Sequence, residues 1–341
     1  MSSRSTRVTA ALIAVTAGAG VLAAAPLLAD GHNHQPPPAP AAGQQGPQGQ
    51  QGTAPTGNQG APGARVGISP TQQPGNDDQG ARGAAGQGNP NAQAGWGQGR
   101  GRQFRVTCDF AKSGMFDPIV FPGQDMAGHQ HQFFGNTSIT GQSTTASLVA
   151  ANVNGTATTC DRTTDGSAYW VPALMKDGTE VTPDEAELTY RAPRGQRRTT
   201  AFPAGFTMIA GDKTATTLQA HAGWRCEFSA PGTALSASVP TCAADEDIVS
   251  VVTFPNCWDG TNLTSKDQSH VVYATNGAAC PADHAIALPE LRMETYWPSA
   301  GAGHTYTLGA MGMNPAGIHA DFMNGWNQNA LRREVRRWNR R

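Results

Sequence analysis

From Phe104 to Trp326 the large apolar residues come in short runs of four to seven, and turn formers close nearly every run. Phe104-Arg105-Val106-Thr107-Cys108 alternates apolar and polar side chains, the period-two pattern of a strand with one buried face. Asp117-Pro118-Ile119-Val120-Phe121-Pro122-Gly123, Ala168-Tyr169-Trp170-Val171 and Phe206-Thr207-Met208-Ile209-Ala210 read as further short strands. So do Ile248 to Phe254, His270-Val271-Val272-Tyr273 and Arg292-Met293-Glu294-Thr295-Tyr296. Asp177-Gly178, Gly211-Asp212, Asp259-Gly260 and Asn276-Gly277 stand between them as turns. Many short strands with no repeating helix between them predict a mainly β protein: a single β-sandwich or jelly-roll-like domain with long irregular loops. One short helix is expected, at the C-terminus over roughly 329–338, rich in arginine. No glycine-rich loop opens a helix, which argues against a nucleotide-binding fold.

Upstream the texture differs. Residues 1–29 have the form of a signal peptide: Arg4 and Arg7, an Ala-rich apolar run from Val8 to Ala25, and small residues at Ala23 and Ala25. Pro26 shifts the expected cleavage toward Ala29; an uncleaved N-terminal anchor is the alternative. Residues 30–102 are Gly, Gln, Pro, Ala and Asn with almost no large apolar side chain, so they are expected to form a disordered linker. Its histidines, His32 and His34, read as solvated tail residues. The β domain is expected over 103–328 and a basic C-terminal helix or tail over 329–341. A net charge of -1 and a charged fraction of 14% give no field for nucleic acid or an acidic membrane. The expectation is a secreted monomer with no nucleic-acid partner and no membrane contact after signal cleavage, meeting extracellular polysaccharide or cell wall.

All six cysteines lie between Cys108 and Cys280, and none forms a Cys-x-x-Cys pair. An even count behind an export signal reads as disulfides rather than metal thiolates. Ranked by ease of loop closure, the expected pairs join sequence neighbours: Cys108-Cys160, Cys226-Cys242 and Cys257-Cys280.

The chemistry concentrates in Gly128-His129-Gln130-His131-Gln132-Phe133-Phe134-Gly135-Asn136. On a strand His129 and His131 project from one face. Near the C-terminus, His319-Ala320-Asp321 repeats the spacing. Imidazoles and a carboxylate on shared faces suit a metal at His129, His131, His319 and Asp321. The metal expected is zinc or copper rather than calcium or magnesium, which take oxygen shells. A metal-free site would draw its acid or base from His129, His131, His270 or Tyr273. Tyr169-Trp170 and Trp326 are candidate sugar-stacking platforms. Asn136, Asn154 and Asn262 sit in glycosylation sequons. No Gly-x-Ser-x-Gly elbow and no His-Glu-x-x-His helix occurs.

Several motifs in fixed order carry a resemblance. Asp-Pro-Ile-Val-x-Pro-Gly and His-x-His come first, then Ser167 to Pro172 and Phe202-Pro203-Ala204-Gly205-Phe206-x-Met208-Ile209-Ala210-Gly211. Phe254 to Gly260, Ser269-His270-Val271, Cys280-Pro281 and His319 to Trp326 follow. Over about 104–326 the chain resembles the DUF1996 domain family, secreted proteins of fungi and actinobacteria whose name denotes unknown function. Fungal members tend to carry a further histidine shortly before the position resembling His270; here Lys266-Asp267-Gln268 occupies that place. Three readings stay open: a metal-dependent enzyme acting on extracellular or cell-wall material through a histidine-rich cleft, a metal-free lyase-like carbohydrate enzyme, and a non-catalytic wall-binding protein.

Overall fold

The computed structural model describes residues 102–196, 198–275 and 279–340. The expected signal peptide, all but the last residue of the expected linker, and the Asn276-Gly277 turn lie outside the described residues.

Among the described residues fifteen strands and two α-helices follow in order. The strands are β1 (Gln103–Gly114), β2 (His131–Gly135), β3 (Ala168–Pro172), β4 (Leu174–Lys176) and β5 (Thr179–Glu180). Then come β6 (Glu185–Arg191), β7 (Thr207–Ala210), β8 (Ala222–Cys226), β9 (Asp247–Thr253) and β10 (Cys257–Trp258). The last are β11 (Val271–Val272), β12 (Ile286–Ala287), β13 (Glu290–Pro298), β14 (Tyr306–Leu308) and β15 (Ala320–Met323). Helix α1 (Thr145–Ala151) lies between β2 and β3, and α2 (Gln328–Asn339) ends the described chain.

Nine strands form one antiparallel sheet in the order β7-β15-β3-β2-β1-β6-β13-β9-β8. The alternation legible in Phe104, Val106 and Cys108 points those side chains inward, and Phe104 lies opposite Tyr190 of β6, with the rings stacked at 4.8 Å. Every strand of this sheet sends side chains into one interior cluster, among them Val106, Phe134, Tyr169, Leu188, Met208, Trp224, Ile248, Met293 and Phe322. That is possible because the sheet curls until it is nearly closed. Trp224 on one edge strand donates its indole N–H to Pro315 O (2.8 Å), and Gln219 donates to Ile318 O (2.9 Å), both just before β15. Helix α2 packs Leu331, Val335 and Trp338 into the same interior. Two small sheets, β11-β10-β12 and β14-β4-β5, complete the mainly β architecture.

Disulfides join Cys108 to Cys160, Cys226 to Cys242 and Cys257 to Cys280, leaving no free cysteine. The loop of 16 closed by the second is worth about 3 kcal/mol in the chain-entropy account.

Two local expectations need correction. The apolar run at 117–123 is a series of turns, not a strand. The Asp117 carboxylate accepts the backbone N–H of Ile119 (2.9 Å) and Val120 (3.0 Å), an Asx-type turn that competes with strand pairing. Helix α1 was not expected because only Leu148 of it is buried, so no apolar stripe announces it; a capping box between Thr144 and Ser147 defines its start instead.

Candidate functional site

The histidine pairs are brought together by strand order. β3 lies between β2 and β15, and the registers align His131 with Pro172 and Asp321 with Trp170. Extending the second ladder by two residues sets His319 level with the same proline. His131 and His319 therefore flank Pro172 on either side, two strand spacings apart, about 9.5 Å in backbone terms. Their rings lean toward each other to 6.2 Å between centroids. His129 lies two residues before His131, just outside the strand, and joins them at 4.1 Å from His131 and 5.1 Å from His319. Pleating keeps Asp321, Trp170 and Phe133 on this outer face while Phe322, Tyr169 and Phe134 point inward.

One ligand nitrogen from each of His129, His131 and His319 lies within 4.8 Å of the others, and His131, Asp321 and Asp117 meet the same limit. All five side chains are buried, with His131 at 0% and none above 4% exposed. His131 Nδ1–H donates to Phe116 O (3.0 Å) and His319 Nδ1–H to Gly317 O (2.8 Å). A backbone carbonyl on Nδ1 fixes the tautomer and turns Nε2, with its lone pair, toward the cluster. The Nε2 atoms of His129 and His131 are buried and have no hydrogen-bond partner. Burial and then the neighbouring imidazoles of His131 and His319 hold His129 far below its ordinary pKa. Burial and then His319 push His131 down to about 3, against the opposing bond to Phe116. Both rings are neutral near pH 7, the form that binds metal.

The expected open cleft is not what these residues form. The turn after β14 brings Gly309 against His129, with a Cβ built there falling 3.6 Å from that of His129. Gly211 follows β7 directly, with φ +96°, and any Cβ there would strike His319 and Ile318 O within 2.9 Å. Only glycine lets the backbone approach His319 so closely. The arrangement is a covered site on the outer sheet face.

The remaining candidates separate from it. His270 places Nε2 on Thr207 O (2.8 Å) and Nδ1 on Ser265 Oγ (2.7 Å), so both ring nitrogens are occupied in tying a loop to β7. Thr207 pairs with Met323, at the end of β15 away from His319. Tyr273 donates to Thr253 O (2.8 Å), and burial pushes its phenol far above the usual range, so it cannot serve as a base near neutrality. Tyr169, Trp170 and Trp326 are buried and offer no stacking face. Asp259 organises its own turn through Thr261 N and Asn262 N. Among the sequons, Asn136 is fully buried and its amide bonds Leu148 O and Gly166 O, which excludes a glycan; Asn154 and Asn262 are exposed. Sequence reasoning missed Asp117. Its signal was present, since it opens the Asp-Pro-Ile-Val motif, but it reads as a turn former, which it also is.

The family described as "Domain of unknown function (DUF1996)" matches residues 117–326, from Asp117 of the site to Trp326 shortly after Asp321. No curated protein and no solved structure matches the chain.

Proposed function

The chain belongs to the DUF1996 family, and on that footing we propose that it is an exported metal-binding protein. Its centre is held by His129, His131, His319 and Asp321, with Asp117 beside them. The observation that carries this reading is three buried imidazoles facing one another, two with an Nε2 that no protein group satisfies. An unsatisfied buried polar atom costs about 1–3 kcal/mol, and with Nδ1–H of His131 and of His319 committed to Phe116 O and Gly317 O, the Nε2 lone pairs of these two rings cannot satisfy each other. A cation among them removes that cost. Two carboxylates within reach supply charge to balance a divalent ion in a site closed to water. Nitrogen donors with carboxylate suit zinc or copper.

Three disulfides accord with an extracellular soluble protein, and among the described residues no helix is long and apolar enough to cross a membrane. When a coordination position is open, such an ion activates water or polarises a substrate oxygen. Enzymatic use on extracellular or cell-wall material therefore requires the turn at Gly309 to lift from His129. The burial of the aromatic platforms and the occupied His270 and Tyr273 favour this reading over a metal-free lyase or a stacking-based wall binder.

The test is elemental analysis of the full chain, purified without chelator, beside His131→Ala, with thermal melts before and after EDTA. Wild type is expected to hold about one zinc or copper per chain, His131→Ala to lose it, and EDTA to lower only the wild-type melt. Saturation at 100 times Kd is worth ~2.7 kcal/mol, about 5–10 °C for a domain of this size. Equal metal content in both proteins, or none in either, overturns the reading.

A further inference from the structure

A second surface is independent of the histidines. Six of the last ten residues are arginine: Arg332, Arg333, Arg336, Arg337, Arg340 and Arg341, in a chain whose net charge is -1. The first five lie on or at the end of α2, and all five are exposed. The one acidic side chain of the helix, Glu334, is already engaged by Arg162 (3.4 Å) and Arg337 (2.7 Å).

Along the helix these charges repel one another. Arg332/Arg336, Arg333/Arg337 and Arg336/Arg340 are like charges four residues apart, each pair unfavourable by about 0.2–0.5 kcal/mol. The helix dipole rewards cations in the last turn only, so it does not account for Arg332 and Arg333. The opposite face is committed: Leu331, Val335 and Trp338 are buried, Asn327 caps the start, and Asn339 exchanges hydrogen bonds with Thr199 (3.0 and 2.8 Å). The arginines thus stand on a fixed rod, with Arg332, Arg336 and Arg340 in one row about 6 Å apart.

We propose that this face of α2 docks an acidic polysaccharide, a polymer that repeats carboxylates along its length. The guanidinium fork pairs bidentately with a planar carboxylate, and a row of forks matches a repeating anion. A lipid surface fits less well, because the apolar side of the helix is already inside the domain and the helix has no large exposed apolar residue to insert. Single-stranded nucleic acid fits less well for the same reason, as no aromatic face is offered for base stacking.

The experiment measures binding of the full chain to immobilised polygalacturonate at low ionic strength. Arg332→Gln/Arg333→Gln/Arg336→Gln is compared with wild type and with Lys266→Gln, a charge removed elsewhere. The triple variant is expected to bind at least tenfold more weakly, Lys266→Gln to bind as wild type, and 0.5 M salt to release all three, as screening requires. Circular dichroism melts verify that the variants fold, since the replaced side chains are exposed. Equal binding by the triple variant overturns the proposal. So does tenfold tighter binding of wild type to polyphosphate, single-stranded DNA or phosphatidylglycerol vesicles than to polygalacturonate.

Discussion

The outer face of the nine-stranded sheet handles polar groups in two opposite ways. Over β1, β6, β13 and β8 the charges are matched: Arg191 with Glu290, Arg105 with Glu187, and Glu294 between Arg225 (2.8 Å) and Arg292 (2.9 Å). Over β2, β3 and β15 imidazole faces imidazole and two carboxylates approach one histidine. In the first half each of these carboxylates finds its complementary charge within the chain. The second brings together groups of the same kind, which is what ligands do when the complementary charge comes from outside the chain.

The largest expected effect tests the completeness of the first half. Glu294→Gln leaves Arg225 and Arg292, both mostly buried, facing an uncharged amide. Removing one partner of a buried pair costs ~3–5 kcal/mol, and ~3 kcal/mol is expected at these part-buried positions. The melt should fall by about 6–12 °C, equally with and without EDTA. A loss below about 1 kcal/mol in urea titration would mean that the ladder is decoration and the contrast unfounded.

A third way of burying a polar group lies inside the sheet. Trp326 donates to Tyr190 (3.1 Å), the Tyr190 and Tyr169 hydroxyls meet at 2.5 Å, and Tyr169 donates to Asp165 (2.7 Å). Burial pushes the Asp165 carboxyl from its ordinary 3.8 up to about 6, against the bonds from Ser167 and Tyr169 that favour the anion. A folded pKa above the unfolded one means that the folded state holds the proton more tightly. The stabilisation is complete below about pH 3.8 and is lost as pH rises through about 6. At about 1.4 kcal/mol per tenfold, the difference is at most ~3 kcal/mol. Between pH 4 and 7, wild type should therefore lose stability relative to Asp165→Asn, which cannot ionise. Parallel stability–pH curves for the two proteins would exclude Asp165 as the source.

How much of this could be read beforehand follows from period and distance. Period two made the β class legible from Phe104, Val106 and Cys108, and it paired His129 with His131 and His319 with Asp321. What joins the pairs is that β3 lies between β2 and β15, a fact of strand order across about 190 residues that no local pattern encodes. Asp117 was hidden because a carboxylate before proline already has a sufficient reason to be there, the turn it closes onto Ile119 and Val120. His270 misled for the opposite reason: its Ser-His-Val setting gave no sign that both nitrogens would be spent on Ser265 and Thr207. Near-closure of the sheet brings Trp224 and Gln219 to Pro315 and Ile318, just ahead of β15, again a long-range event. Burial of the site was equally invisible, since a glycine such as Gly309 reads as a turn and not as a cover.

The smallest expected effect is the sharpest test of the second half. If the histidines are retained for an ion, they contribute little to the metal-free fold. His129→Leu keeps most of the side-chain volume and removes a buried Nε2 that has no partner. Losing that atom recovers part of an unsatisfied group's cost of about 1–3 kcal/mol, while imperfect packing of the new side chain takes back up to about 1.5 kcal/mol. In EDTA the variant should thus lie within about 1 kcal/mol of wild type, or above it, by urea titration. With zinc or copper added, wild type should gain and the variant should not, so the order of the two proteins depends on the metal. A loss of about 3 kcal/mol in EDTA would place His129 with Glu294, as a group the fold itself requires, and the two halves of the outer face would then be alike.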